Sequence, residues 1–377
     1  MESKVEQHLH IISFDIPFPA DYGGVIDVFY KLKALAKLQI KVHLHCYQYG
    51  RAKDKHLEES CFQVHYYKRT SGLNNFLSQL PYIVATRNSS ELLKTLQQDD
   101  YPILFEGLHS CSFIDHPSLK SRVKLVRMHN IEHEYYYQLS LAEKNILKKI
   151  YYRAEVPKLK RFESKLKHSQ AIFAISKKDD VELKTRFKNV YHIPAFHSNE
   201  EIESKTGRGD FIIYHGNLSV AENEKAVLFL LTDVFNRLDV KCIIAGKNPS
   251  QKIIKIAENM PHLELVINPS ESAMNKLIQD AHIQILPTFQ DTGIKLKLLK
   301  SVALGRFCLV NSTMVKQTGL EDVCLIADTA TEFVDFVQNL MQQSFSQENL
   351  DLRSSIWNSS FSNVQNARKI RNILKEA

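Results

Sequence analysis

Short runs of apolar, often β-branched residues alternate with longer stretches of helical spacing along nearly the whole chain. In the first half the runs are "HLHIISFD" (8–15), "IKVHLHCY" (40–47), "FQVHYY" (62–67), "PILFE" (102–106), "VKLVRM" (123–128) and "QAIFAIS" (170–176). The spacing between them predicts helices near 25–38, 88–97, 132–168 and 177–187. Strands separated by helices of this length predict parallel βα units, an α/β chain with doubly wound sheets. The rhythm breaks at "AFHSNEEIESKTGRGD" (195–210), polar and containing Gly207 and Gly209, and restarts with "FIIYHGN" (211–217), "VKCIIAG" (240–246), "LELVIN" (263–268), "HIQILP" (282–287) and "RFCLVN" (306–311). The expected organisation is a first Rossmann-like domain over 1–194, a linker over 195–210, a second Rossmann-like domain over 211–356, and a terminal helix over 357–377. That helix carries Phe361, Val364, Ile370, Ile373 and Leu374 near one face, so it should dock, towards the first domain.

A length of 377 residues with 44% hydrophobic side chains suffices for two cores. The longest apolar runs, such as "AVLFLL" at 226–231, fall far short of the roughly 20 residues that span a bilayer. "MESKVEQHLHIISF" lacks the apolar stretch of a secretory signal, so a cytoplasmic protein is expected. Its six cysteines are scattered singly with no C-x-x-C pair, which fits reduced thiols in apolar surroundings. The net charge of +7 is modest but uneven: the stretch from Lys144 to Lys188 carries at least the whole excess. One strongly basic surface is expected, either a solvated helical face or a surface facing an acidic membrane or a polyanionic partner, with peripheral contact at the inner membrane face as one functional reading. Nucleic acid is not expected as a partner.

Ligands of open α/β sheets bind beyond the carboxyl ends of the strands, so three loops draw attention. In "PFPADYGGVID" (17–27), Gly23 and Gly24 remove two Cβ atoms where a helix begins and leave free N–H groups. In "VKLVRMHNIEHEYY" (123–136), His129, Glu132 and His133 spell the H-x-x-E-H of inverted zinc peptidases, yet His129 directly follows a strand-like run. It belongs at a strand end, where with Asn130 it would meet a polar ligand rather than share a helical metal site. In "TFQDTGIKLKLLK" (288–300), Gly293 is expected to open a helix whose N-terminus suits an anion, with Lys295 and Lys297 in its first turns. Two residues apart on a helix they would point about 200° from each other, so only one should reach a given phosphate, whereas Lys297 and Lys300 would share a face.

Together, "RMHNIEHEYY", "YHGNLSVAENEKAVLFLL" (214–231) and "LPTFQDTGIKLKLLKSVALGRFCLVNS" (286–312) resemble nucleotide-sugar-dependent glycosyltransferases of the GT-B fold, in the large retaining group. The "HNIEH" form is similar to bacterial members that build surface polysaccharides. The resemblance implies two Rossmann-like domains facing a cleft, with His129 on the donor sugar, Gly23 and Gly24 near donor phosphates and acceptor, Gly216 and Asn217 in the second domain's first turn, and the helix after Gly293 on the diphosphate. It departs from the family where typical members carry two glutamates, the second gripping the ribose hydroxyls. Thr292 and Lys300 stand there instead, and an ammonium only donates.

The chain has no D-x-D motif, so transfer of a hexosyl unit without metal is expected, the leaving group's charge being met by the helix terminus and lysines. Retention by a front-face path lets the donor phosphate take the acceptor proton, and Glu106, ending "PILFE", would orient an acceptor hydroxyl. No cofactor is expected beyond the nucleotide sugar as co-substrate, and the acceptor would be a saccharide or a lipid-linked saccharide. The rivals are a nucleotide-sugar epimerase and a catalytically silent sugar-nucleotide-binding subunit.

Overall fold

In the computed structural model, which describes residues 6–290 and 295–376, the chain divides into two units: 1–197 with 363–377, and 198–362. The first is built on a parallel sheet of seven strands, β1 (His8–Ser13), β2 (Lys41–Gln48), β3 (Gln63–Lys68), β4 (Ile103–Glu106), β5 (Lys124–Met128), β6 (Ala171–Ala174) and β7 (Val190–His192). Their order is β3-β2-β1-β4-β5-β6-β7. The second unit's parallel sheet has β8 (Phe211–Asn217), β9 (Lys241–Lys247), β10 (Leu263–Ile267), β11 (Ile283–Leu286), β12 (Phe307–Val310) and β13 (Leu325–Ile326), ordered β10-β9-β8-β11-β12-β13. Each sheet therefore reverses direction of winding beside its opening strand, between β1 and β4 and between β8 and β11. Crevices at such switch points are where ligands of this architecture bind.

Burial on both faces explains why β4, β6 and β12 read as near-continuous apolar runs. The expected helix over 132–168 is instead Glu132–Ala142 followed by Ile146–Glu163, because Asn145 caps a new start through bonds from Leu147 N and Lys148 N to its Oδ1. Of the 195–210 stretch, Ala195, Phe196 and His197 are buried in the first unit, while Gly207 pairs with Phe345 inside the second. Phe361 and Trp357 lie in the second unit's core; the helix Asn363–Glu376 belongs to the first, packing Ala367, Ile370 and Leu374 against the helix Gly23–Lys37.

One face of the first sheet carries a histidine ladder that alternation along β1, β2 and β3 dictates. His8 and His43 approach to 2.9 Å, His10 and His45 to 2.7 Å, and His45 stacks on His65. Asp99, held by Arg122, bonds His10 at 3.0 Å, and Tyr67 and Gln63 bond His45 and His43. Burial lowers His10 to about 4 despite Asp99, and it lowers His43, His45 and His65 below the usual imidazole value as well. The unfolded chain titrates near 6.5, so between about pH 6.5 and 4 it binds more protons than the folded chain and stability falls as pH falls. Urea unfolding followed by circular dichroism is expected to show a loss on the order of 2 kcal/mol from His10 alone between pH 7.5 and pH 5. Equal stability at the two pH values would contradict this.

Candidate functional site

The first unit gathers four ionisable side chains with no exposed surface at the carboxyl ends of β4 and β5. Asp27 and Lys31 stand one turn apart on the helix Gly23–Lys37, Glu106 ends β4 and Arg127 lies within β5. Lys31 Nζ donates to Asp27 Oδ2 at 2.9 Å and to Glu106 Oε1 at 2.6 Å, and Arg127 donates to Asp27 Oδ1 at 2.7 Å and Oδ2 at 3.1 Å. Two carboxylates meet two cations, the condition for burying charge at all. Burial alone would raise both acids, but Arg127 and Lys31 hold Asp27 far below the carboxylate range, and Lys31 with His129 holds Glu106 below it.

His129, the first residue beyond β5, sits on this centre with Nε2 at 3.1 Å from Glu106 Oε2. That bond leaves Nδ1 as the free nitrogen; it is buried and has no hydrogen-bond partner among the described residues. His109 Nδ1, after β4, is in the same condition. Both rings contact Phe14, which follows β1, and both border Gly107, whose φ of +68° admits glycine and whose missing Cβ would stand 3.0 Å from His109 Nδ1. A buried ring nitrogen with nothing to bond is costly unless a ligand supplies the partner. Gly24 has a packing reason of its own, since a Cβ there would fall 2.7 Å from Phe14 Cζ. Gly23 opens the helix, which has neither a side-chain cap from Tyr22 nor an acid in its first turn.

The H-x-x-E-H stretch does not converge on a metal. His133 Nδ1 turns to Glu163 at 2.9 Å, and Glu163 also takes Arg186. Glu132, pushed up to about 8 by burial and then by Glu163, accepts a bond from Asn130. Asn130 is thus occupied by Glu132. Among the described residues, Asp27, Glu106 and His129 do offer three ligand-type atoms within 4.8 Å of one another. Their carboxylate oxygens are already engaged, those of Asp27 by Lys31 and Arg127 and those of Glu106 by Lys31 and His129, so a cation would have to displace these partners.

In the second unit the loops after β8 and β11 meet at the switch point. Gly216 and Asn217 end β8, and Asn217 Oδ1 accepts from Ser219 while its carbonyl accepts from Asn223 Nδ2 at 2.9 Å. Thr288, after β11, hydrogen-bonds Glu222, and Asn311, after β12, pins its backbone through bonds of 3.0 and 2.7 Å. The helix Leu296–Leu304 brings Lys297 into this group: Nζ donates to Asn223 Oδ1 at 2.8 Å and to Tyr214 Oη at 3.3 Å. Burial lowers Lys297 to about 8, with Glu222 opposing the shift and Lys295 adding to it. Lys295 precedes the helix and donates to Gln290 O at 2.8 Å, so helical angles do not relate the two lysines. Lys300 is half-buried and lowered by burial, and His215 feels its charge and that of Lys297. Thr292 and Gly293 lie outside the described residues.

Sequence reasoning singled out His129 and Glu106, which the structure joins, and Gly216, Asn217 and Lys297, which it gathers at one switch point. It missed Asp27, Lys31, Arg127, Tyr214, Glu222, Asn223, Thr288 and Asn311. A charged Arg127 inside the apolar "VKLVRM", and Asp27 with Lys31 on an otherwise apolar helical face, were the available signals.

No family model matches the chain. It is 26% identical over 375 residues to an uncharacterised 44.6 kDa protein in the cps region of Klebsiella pneumoniae, covering 90% of this chain and 96% of that protein. Among solved structures it is similar to TarM (TM-score 0.69, 10% identity, 99% of this chain and 100% of that one). A glycosyltransferase from Rickettsia africae (TM-score 0.66, 11% identity, 98% of each chain) and Anabaena HepE in complex with UDP and glucose (TM-score 0.64, 10% identity, 99% and 100%) are similar too. Likeness at such identities is one of fold. With two parallel sheets, each flanked by helices and each reversing beside its opening strand, the chain has the two-Rossmann-domain GT-B architecture.

Proposed function

We propose that this protein is a glycosyltransferase that moves a hexosyl unit from a nucleotide sugar to a saccharide or lipid-linked saccharide acceptor, with retention and without a metal. The observation that carries the reading is Lys297, an ammonium drawn into the second unit's switch point beside Asn217 and Asn223, where a diphosphate would find both charge and donors. His129 Nδ1 in the first unit is offered to a hydroxyl of the transferred sugar, its ring orientation fixed by Glu106. In the step itself the bond from the anomeric carbon to the diphosphate breaks on the face where the acceptor oxygen bonds, and the acceptor proton passes to the departing phosphate oxygen. No side-chain base is then required, and Lys297 stabilises the charge that develops on the leaving group. The relative in a cps region and HepE with its UDP and glucose support this substrate class.

Thermal shift against UDP-, GDP- and dTDP-sugars tests the binding half, because a ligand of the folded state raises stability by RT ln(1 + [L]/Kd). One nucleotide class should stabilise the protein, Lys297→Ala should weaken that affinity roughly 10- to 100-fold, the range for losing a charge-assisted bond, and Lys295→Ala should change it little. No shift with any donor, or equal effects of the two substitutions, would contradict the assignment. Since Lys297 titrates near 8, a neutral lysine must take up a proton to meet the anion. Nucleotide affinity is therefore expected to fall as pH rises through about 8, by at most about tenfold per pH unit; an affinity constant from pH 7 to pH 9.5 would exclude Lys297 from the site.

A further inference from the structure

The helices Glu132–Ala142 and Ile146–Glu163 pack against each other in the first unit and are joined by the three residues 143–145. Where they join, large apolar side chains point outward: Leu141 is 50% exposed, Ile146 71%, Leu147 77% and Ile150 61%. Leu141 closes the first helix, and Ile146 and Ile150 stand one turn apart on the second, so the four cluster at one end of the helical pair. On the second helix the aim of Ile146, Leu147 and Ile150 follows from the Asn145 cap, which sets where that helix starts. Exposed residues this large and this close together are unusual on a surface that meets only water.

The charge around them is mainly of one sign; the exception is Glu143 in the joint, whose carboxylate accepts from the Asn145 amide at 2.9 Å. From 144 to 167 the sequence has nine Lys and Arg and two Glu. Both Glu are buried and engaged, Glu155 with Lys158 and the Tyr82 amide, Glu163 with His133 and Arg186. Lys144, Lys148 and Arg153 are exposed and Lys149 half-buried, all within two turns of the apolar tip. Apolar side chains ringed by ammonium groups match the interface of an anionic bilayer, where methylenes enter the acyl boundary and cations stay among headgroup phosphates.

We propose that this tip, Leu141, Ile146, Leu147 and Ile150 with Lys144, Lys148 and Lys149, seats on an anionic lipid surface. No helix among the described residues is long and apolar enough to cross a membrane, so the attachment is peripheral. The inference rests on surface chemistry alone and stands apart from the transfer reaction, although a lipid-linked acceptor would be reached from such a seat. The occupant is a lipid surface rather than a second copy of the chain because a second copy would bring the same cations against these lysines.

The test is co-sedimentation of the full chain with phosphatidylcholine vesicles containing graded phosphatidylglycerol, at low and high salt. Binding should rise with anionic content and fall with salt. Lys148→Glu with Lys149→Glu should lower partitioning by at least ~25-fold, about fivefold per lost cation. Leu147→Ser with Ile150→Ser should lower it at unchanged charge, while Lys252→Glu with Lys255→Glu in the second unit should leave it intact. All three pairs alter surface positions, and unchanged thermal midpoints would confirm folded protein. Binding indifferent to lipid charge, binding insensitive to Leu147 and Ile150, or sedimentation of a dimer abolished by the serine pair without vesicle binding would each overturn the proposal.

Discussion

Lys31→Met is expected to be the most damaging single substitution in the first unit, costing about 3–5 kcal/mol. The methionine would keep most of the volume but leave Asp27 and Glu106, both without exposed surface, sharing Arg127 as their remaining buried cation. Glu106 would suffer more, because Arg127 binds Asp27 and the backbone carbonyls of Ile193 and Pro194, not Glu106. Lys33→Met, two residues on and exposed, is the matched control and should stay within about 0.5 kcal/mol of the parent. Chemical unfolding monitored by circular dichroism reads both, and similar midpoints for the two variants would mean that the buried centre is not what stabilises the sheet.

His129→Ala is expected to reduce turnover on the order of 10²-fold while leaving the fold and nucleotide affinity nearly unchanged. The ring is assigned to the sugar through Nδ1, and its loss deprives Glu106 of one hydrogen bond, not of the Lys31 ammonium. The split matters: an unfolded variant, or one that loses affinity for nucleotide alone, would make His129 structural. His129→Gln, which keeps a donor towards Glu106, should retain the stability of the parent without restoring turnover.

The architecture was legible because its strands are buried on both faces and its helices are periodic. Uninterrupted apolar runs such as "AIFA" and "FCLV" read as strands from composition alone. β7 and β13, three and two residues long, leave too short a pattern to read. The break at 143–145 was hidden because its cause is one side chain, Asn145, capping its own successors inside a stretch whose helical spacing resumes at once.

Site residues were legible in proportion to how local their reasons are. Glu106 and His129 could be placed because one ends a strand and the other directly follows one. The Asp27–Arg127 pair joins residues 100 positions apart, and only the sheet order that sets β5 beside β4 next to the helix Gly23–Lys37 brings them together. Lys295 and Lys297 could not be told apart from spacing, since the angle between them depends on where the helix begins, and it begins at Leu296. Asn223 carries no signal in the sequence; its role comes from standing where Asn217, Tyr214 and Lys297 converge.

Transfer can be read as release of free nucleoside diphosphate by the purified protein given a nucleotide sugar, with and without a saccharide acceptor and with a metal chelator present. Release should require the acceptor, persist with the chelator, yield a glycosylated product of unchanged anomeric configuration and drop sharply in His129→Ala. An epimerised donor with no product, or donor that binds and is never consumed with any acceptor, would contradict transfer.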